Sequence, residues 1–271
     1  MFTVVMSIYN RDDPRHFIDA IQSVLNQSLP PAEVIIVVDG PVNPVIQAAL
    51  ATLCVYPVIR IIQLESNVGL GGARHIAIQQ ATKDIIAVMD SDDICADERF
   101  QRQISMLKNN NLDIVGGYIE EFDLIPRDNP RIRLVAVSHN ALVKRARWRN
   151  PMNHVTIMFR KSAYMVVGGY KAIRYVEDYD LFYRMIISGA RFENIPENLV
   201  YVRCGKKVLG RRVGFSYLRS ELLLFNIMRR NKFINNTQWM LNVCIRVFAR
   251  TMPTFLLGYV YKVFLRNKSC T

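Results

Sequence analysis

Residues 85–100 read IIAVMDSDDICADERF, five apolar residues running into three carboxylates within four positions. An unbroken apolar run of this length, closed by polar residues, reads as a buried strand that crosses a core and releases Asp90, Asp92 and Asp93 at its end. Carboxylates this close repel one another unless a cation or a ring of hydrogen bonds neutralises them, and a divalent metal bridging to phosphate is a natural partner. The plainer reading is an acid-rich turn that caps the following helix through Asp93 or Asp97. The surrounding sequence decides between the two.

Outward from that stretch, strand and helix patterns alternate. Strands are predicted at Thr3–Ile8, Val34–Val38, Val58–Gln63, Ile85–Met89 and Ile114–Ile119, and helices near 14–27, 43–53, 70–81 and 98–109. Repeated strand–helix units imply an α/β fold with a mostly parallel central sheet flanked by helices. Polar loops then fall at equivalent places: SIYNRDD after the first strand, DGP after the second, SNVGLGGAR after the third and DSDD after the fourth. In an open parallel sheet the carboxyl ends of the strands share one edge, so four converging polar loops predict a ligand crevice.

The chemistry of those loops suits a nucleoside diphosphate. Tyr9 can stack on a base, and Asp39 and Asp90 can accept hydrogen bonds from base or ribose. Asn67, Gly69 and Arg74 offer an amide, a bare backbone and a guanidinium. A metal at Asp92 would balance the diphosphate. A dinucleotide-binding reading competes, because Gly69 and Gly71 open a helix and Asp90 follows about 20 residues on. It is weakened by Arg74 at the third glycine position and by the acid cluster, and there is no GxxxxGK[ST] phosphate loop.

Composition bounds the remainder. The chain has 271 residues, 51% of them apolar, enough for one large core and an appendage. Five widely spaced cysteines with no CxxC pair indicate neither a disulfide framework nor a zinc site. MFTVVMSIYN lacks the basic start and apolar core of a signal peptide, and no run reaches the roughly 18 apolar residues of a spanning helix, so a cytoplasmic protein is expected. The net charge of +12 is uneven: from Arg203 onward 14 Lys and Arg face one acid, Glu221, while the first 202 residues hold 21 bases and 22 acids. Two segments are therefore expected, residues 1–205 and a basic C-terminal segment, 206–271.

SIYNRDD, VVDGP, the Asn67–Arg74 spacing, DSDD and the later EDYDLFYRM together resemble glycosyltransferase family 2, over roughly residues 1–205. NHVTIMFRKS and the basic stretch from Val202 to Leu218 are similar to the subgroup that builds bacterial exopolysaccharide, capsule or O-antigen. The resemblance implies a GT-A fold and an inverting, metal-dependent transferase. It would move a hexose of glucose or galactose type from a nucleotide sugar, a UDP-hexose, to a polyprenyl-diphosphate-linked acceptor. It implies a donor-binding set of Ser7, Tyr9, Asn10, Asp39, Asn67, Gly69, Arg74, Asp90, Ser91, Arg211 and Arg212. Mn²⁺ or Mg²⁺ would sit at Asp92 with Asp90. Two departures stand out: His75 replaces the Asn that often follows the motif arginine, and RCGK at 203–206 lacks a histidine found in some members, which leaves Lys206, Lys207, Arg211 or Arg212 to hold the diphosphate.

YVEDYDLFYRMIISG places Glu177 and Asp178 at a helix start, where acids also simply complement the helix dipole. Transfer to a hydroxyl needs one carboxylate to take its proton, and the resemblance assigns Asp178 as base with Glu177 positioning the acceptor. His154 in PMNHVTIMF is either a core histidine or, with Asn153, part of the acceptor pocket. The tail carries YLRSELLLFNIMRR, WMLNVCIRVFAR and FLLGYVYKVFLR, long apolar residues mixed with bases at helical spacing. These read as amphipathic helices, either lying on the inner leaflet of the cytoplasmic membrane or capping the domain. A nucleotide- or polyanion-binding module is the competing function. The basic region interleaves aliphatic residues and no recognition fold, so no nucleic-acid partner is expected.

Overall fold

The computed structural model describes residues 1–128, 130–204 and 215–251. The chain divides into two compact units, Met1–Ala172 with Glu177–Gly205, and Ile173–Val176 with Lys206–Thr271.

In the first unit the strands β1 (Thr3–Ile8) and β2 (Glu33–Val38) are runs of mostly β-branched residues, buried on both faces as strands covered by helices on each side must be. Between them α1 (Pro14–Leu25) begins where Asp13 accepts from the Arg15 amide and Pro14 takes the first turn; Phe17, Ala20, Ile21 and Val24 give it one apolar face. Asn43 caps α2 (Pro44–Thr52) in the same way through the amides of Val45 and Ile46. Then follow β3 (Ile59–Gln63), α3 (Leu70–Gln80), β4 (Ile85–Val88), β5 (Ile94–Cys95) and α4 (Arg99–Asn109).

β3, β2, β1 and β4 lie side by side and parallel, so the loops that leave them share one edge. Alternate residues feed two cores. Val4, Met6, Ile36 and Val38 join Phe17 and Ile21 of α1 and Phe100 of α4, while Val5, Ile35 and Val37 join Ala73 and Ala77 of α3 and Phe182 of a later helix.

Beyond β4 the sheet turns mixed. β6 (Ile114–Phe122) does not join β4; the three-residue β8 (Met158–Arg160) sits between them, antiparallel to both. β7 (Arg131–Arg133) pairs with β6, and β9 (Phe192–Arg203) runs parallel to β6 and antiparallel to β5. The described strands thus form a nine-stranded sheet in the order β3-β2-β1-β4-β8-β6-β9-β5, with β7 on β6. Helices α5 (His139–Ala146), α6 (Lys161–Val166) and α7 (Glu177–Ile187) complete the unit.

In the second unit α8 (Phe215–Arg230) and α9 (Asn236–Thr251) pack together. Asn235 and Gln238 close the start of α9 reciprocally, each side chain accepting from the other's amide. Glu221 of α8 pairs with Arg246 and Arg250 of α9, at 3.0 Å each. Trp239 donates to Asn226 and lies under the Arg229 guanidinium.

Candidate active site

The four loops at the parallel edge are stitched together by their own polar groups. Asp39 is buried, and its two oxygens accept from the amides of Val68 (2.7 Å) and Gly69 (3.0 Å), so it shapes the turn after β3. Asn67 reinforces that turn by donating to the Asp39 carbonyl. Gly69 precedes α3 with φ +80°, a conformation open to glycine and strained for other residues. Asn10 receives the Asn43 amide at 2.8 Å and so links the loop after β1 to the start of α2. Ser7 is buried near the end of β1, and Tyr9 is 39% exposed beside it.

The acids of DSDD have separate environments. Asp90 accepts from the guanidinium of buried Arg74. Asp92 is exposed, and its carboxyl is pushed above the usual range by desolvation and then by Asp90. Asp93 is buried and accepts from the Arg203 amide at 2.9 Å; burial, then Asp90 and Asp92, push it well up. A fourth acid joins them. Asp12 accepts from Ser91 (2.9 Å) and from the Tyr9 amide, and desolvation with smaller repulsion from Asp92 and Asp90 raises it to about 6. Asp12 lay within SIYNRDD, but nothing in its spacing set it apart from Asp13, which caps α1.

These acids suit a hard cation in part. Desolvation, with repulsion from neighbouring acids, raises the cost of keeping Asp12 and Asp92 charged, which a divalent ion would relieve. Among the described residues no three His, Cys, Asp or Glu side chains converge as a complete site. Phosphate and water oxygens would have to finish the shell, as Mg²⁺ and Mn²⁺ accept readily.

Arg74 connects this edge to the second acidic pair. Its other terminal nitrogen approaches His154 Nδ1 at 3.4 Å, and His154 Nε2 meets the Tyr170 hydroxyl at 2.6 Å. A guanidinium only donates, so Nδ1 accepts and the neutral ring carries its proton on Nε2. Burial and Arg74 hold the ring well below its ordinary pKa, in keeping with that neutral form. His154 thus serves the network beneath the site, and Asn153 donates to the Gly117 and Arg133 carbonyls. His75, the departure after the motif arginine, bonds the Tyr164 hydroxyl at 2.7 Å. Gly169, at φ +66°, leaves room for that pair, since a Cβ there would lie 2.6 Å from both.

Glu177 and Asp178 open α7. Asn150 donates to Asp178 at 2.7 Å, and the Tyr179 amide donates to its other oxygen. Desolvation raises Asp178; those bonds, Arg74 and Arg133 oppose the rise. Glu177 lies against Gly71, with Oε2 buried and unbonded, as is Arg74 Nε. Burial and the Asp178 charge push Glu177 up as well. Asn150, which orients Asp178, carried no signal in the sequence. Lys206, Lys207, Arg211 and Arg212 lie outside the described residues.

Residues 3–176 match the family described as Glycosyl transferase family 2. Over 97% of its length the chain is 32% identical to an amylovoran biosynthesis glycosyltransferase of Erwinia amylovora, covering 98% of that protein. It is 34% identical to a UDP-Gal:α-D-GlcNAc-diphosphoundecaprenol β-1,3-galactosyltransferase of Escherichia coli, across 98% of this chain and 97% of the relative. Among solved structures it resembles S. aureus TarS 1–349 in complex with UDP-GlcNAc, with TM-score 0.70 and 17% identity over 97% of this chain and 76% of that one. That likeness gives the fold as GT-A.

Proposed function

Because the chain belongs to glycosyl transferase family 2 and is a glycosyltransferase, we propose the following reaction. It transfers a hexose of glucose or galactose type from UDP-hexose, with inversion, to a polyprenyl-diphosphate-linked glycan in bacterial surface polysaccharide synthesis. The Escherichia coli relative, named for such a donor and acceptor, supports the substrate class. The observation that carries the reading is Arg74, bonded to Asp90 on one side and a charge neighbour of Glu177 and Asp178 on the other. It brings a donor-side carboxylate and a desolvated base into one site.

In the proposed reaction the acceptor hydroxyl oxygen attacks the anomeric carbon, the bond from that carbon to the diphosphate breaks, and the nucleoside diphosphate leaves with the electron pair. Asp178 takes the hydroxyl proton; Asn150 holds its carboxylate in place, and its raised pKa brings its proton affinity nearer working pH. Glu177 lines the acceptor side. Tyr9, Asn67 and Arg74 bind the donor, and Asp39 holds the turn that carries Asn67 and Gly69. Asp92 and Asp90 would hold Mn²⁺ or Mg²⁺, which when bound supplies Lewis-acid stabilisation of the leaving diphosphate.

No helix among the described residues is long and apolar enough to cross a membrane. The proposal places the enzyme peripherally on the inner face of the cytoplasmic membrane, where a polyprenyl acceptor would be presented.

Asp178→Asn keeps shape and removes proton affinity, so turnover should fall about 10² to 10⁴-fold with donor affinity nearly unchanged. Full turnover in Asp178→Asn would reject the assignment, and a loss confined to Glu177→Gln would transfer the role to Glu177.

A further inference from the structure

We infer that Arg133, Arg145 and Arg149 form a phosphoryl-binding subsite for the acceptor, taking the diphosphate that joins its first sugar to the lipid. The inference rests on the proposed transfer to a lipid-linked acceptor and adds the side chains that would recognise its charge.

The sequence carries the first sign. Between Asp128 and Glu177 lie 48 residues with no acid and ten Lys or Arg. Several of these bases have local tasks. Arg160 donates to the Leu112 and Leu107 carbonyls, Lys161 to those of Gln79 and Ala81, and Arg131 pairs with Asp123. Arg133, Arg145 and Arg149 are placed differently. Arg145 is in the last turn of α5, and the Trp148 and Arg149 amides bond back to its carbonyl at 2.9 and 3.0 Å, so the turn continues and puts Arg149 on the side of Arg145. Arg145 Nε reaches the Asn150 carbonyl at 3.4 Å, and Asn150 in turn holds Asp178. Asn153 ties in the end of β7 through the Arg133 carbonyl. The Tyr179 hydroxyl fixes α5 to the start of α7 through the Ala146 carbonyl at 2.7 Å. Three guanidinium-bearing residues are thereby gathered beside the proposed base.

Among the described residues the charges of two of them, Arg145 and Arg149, lack the carboxylate that would be expected beside them. Burial first, then the nearby charges of Arg149 and Arg133, depress the half-buried Arg145 to about 10. Bases at a helix C-terminus commonly answer the helix dipole, and that explains Lys144 and part of Arg145. It explains neither Arg133, which belongs to another element, nor the partial burial of Arg145.

Acceptor geometry supplies the missing anion. A hydroxyl poised at Asp178 belongs to a sugar whose anomeric carbon is one ring's width away, and in a lipid-linked sugar that carbon carries a diphosphate. A guanidinium fork matches phosphate oxygens in shape and charge. Anionic membrane headgroups offer related chemistry, and the test separates the two sources.

The test uses two water-soluble acceptors of N-acetylglucosamine, the sugar named for the Escherichia coli relative's acceptor: a phenoxyalkyl diphosphate and a neutral alkyl glycoside. In the double variant Arg145→Gln/Arg149→Gln, the ratio of kcat/KM for the charged over the neutral acceptor should fall about 10- to 100-fold, mainly through KM, as loss of charge-assisted hydrogen bonds predicts. Arg145→Lys should retain part of that ratio, and Arg149→Gln, at an exposed position, gives a variant whose fold is safe. An unchanged ratio, or equal losses on both acceptors, overturns the subsite. Loss of binding to phosphatidylglycerol vesicles with the ratio intact assigns the arginines to headgroups and also overturns it. If the parent transfers to neither acceptor, the proposed function fails, and farnesyl diphosphate binding under saturating UDP reads the subsite directly. Weakening of about 10-fold in the double variant supports it, and equal binding rejects it.

Discussion

Asp178 titrates in surroundings made by residues far from it in sequence. Burial disfavours its charged form, while the Asn150 amide, 28 positions earlier, favours it. Removing that donor in Asn150→Ala should therefore raise the carboxyl further. The acid limb of kcat/KM should move to higher pH by roughly 0.5–1 unit, since a neutral hydrogen bond contributes about 1 kcal/mol. Activity below the limb should fall more than activity above it. A pH–rate profile with an unmoved or lowered limb would remove Asp178 from the base role. The acids themselves were legible in the sequence because DSDD and ED stand out against apolar flanks. Their partners were not: Asp93 meets an amide 110 positions away, and Asp90 meets Arg74 on another element. Asp12 shows the same limit, since its neighbour Asp13 has the same local sequence and a wholly different task.

At the scale of elements, the parallel half of the sheet could be read almost residue by residue, because β1, β2 and β4 are mostly apolar, buried runs beside their helices, and β3 carries a charge within it at Arg60. The mixed half could not, because β8 has only three residues and no periodicity to display. Its insertion creates a seam between β4 and β6 that α4 closes with polar side chains. Arg99, fully buried, donates to the Val88 carbonyl at 2.7 Å and the Val155 carbonyl at 2.9 Å. Gln103, one turn on, donates to the Val115 and Thr156 carbonyls at 3.1 and 2.7 Å. The helix was expected from its pattern, but an arginine and a glutamine on its buried face break the amphipathic rule that located it. The two carbonyls bonded by Arg99 flank the acid loop and the turn bearing His154, so this residue sets the spacing between them. Arg99→Met keeps volume and strips both donors, which should cost about 2–4 kcal/mol for two under-satisfied buried carbonyls. Thermal unfolding should then begin at least about 5 °C lower, with a smaller loss in Arg99→Lys. A melting temperature within a degree of the parent would show that the seam does not depend on it.

At the scale of the whole molecule, the basic excess is concentrated after residue 203, yet its bases are not equivalent. Arg246 and Arg250 are engaged with Glu221, and each also lies over an aromatic ring, Phe225 and Tyr217 respectively. They hold α9 on α8, so neutralising them would test the helix pair and not the membrane. Arg219, Arg230 and Lys232 are exposed and suit the purpose better. Leu241 and Ile245, four apart on α9, are also exposed, at 44% and 49%. If the second unit rests on an anionic leaflet, replacing those three bases with Gln should remove up to about 1 kcal/mol of attraction each. Flotation with phosphatidylglycerol vesicles should weaken accordingly. It should also weaken with salt in the parent, because exposed charges are screened beyond about 8 Å at physiological ionic strength. Glu221→Gln serves as the contrast: it should loosen α8 from α9 and lower the melting temperature while leaving the exposed bases in place. Flotation of the triple variant equal to the parent's at every salt concentration would show that these bases do not hold the protein to lipid.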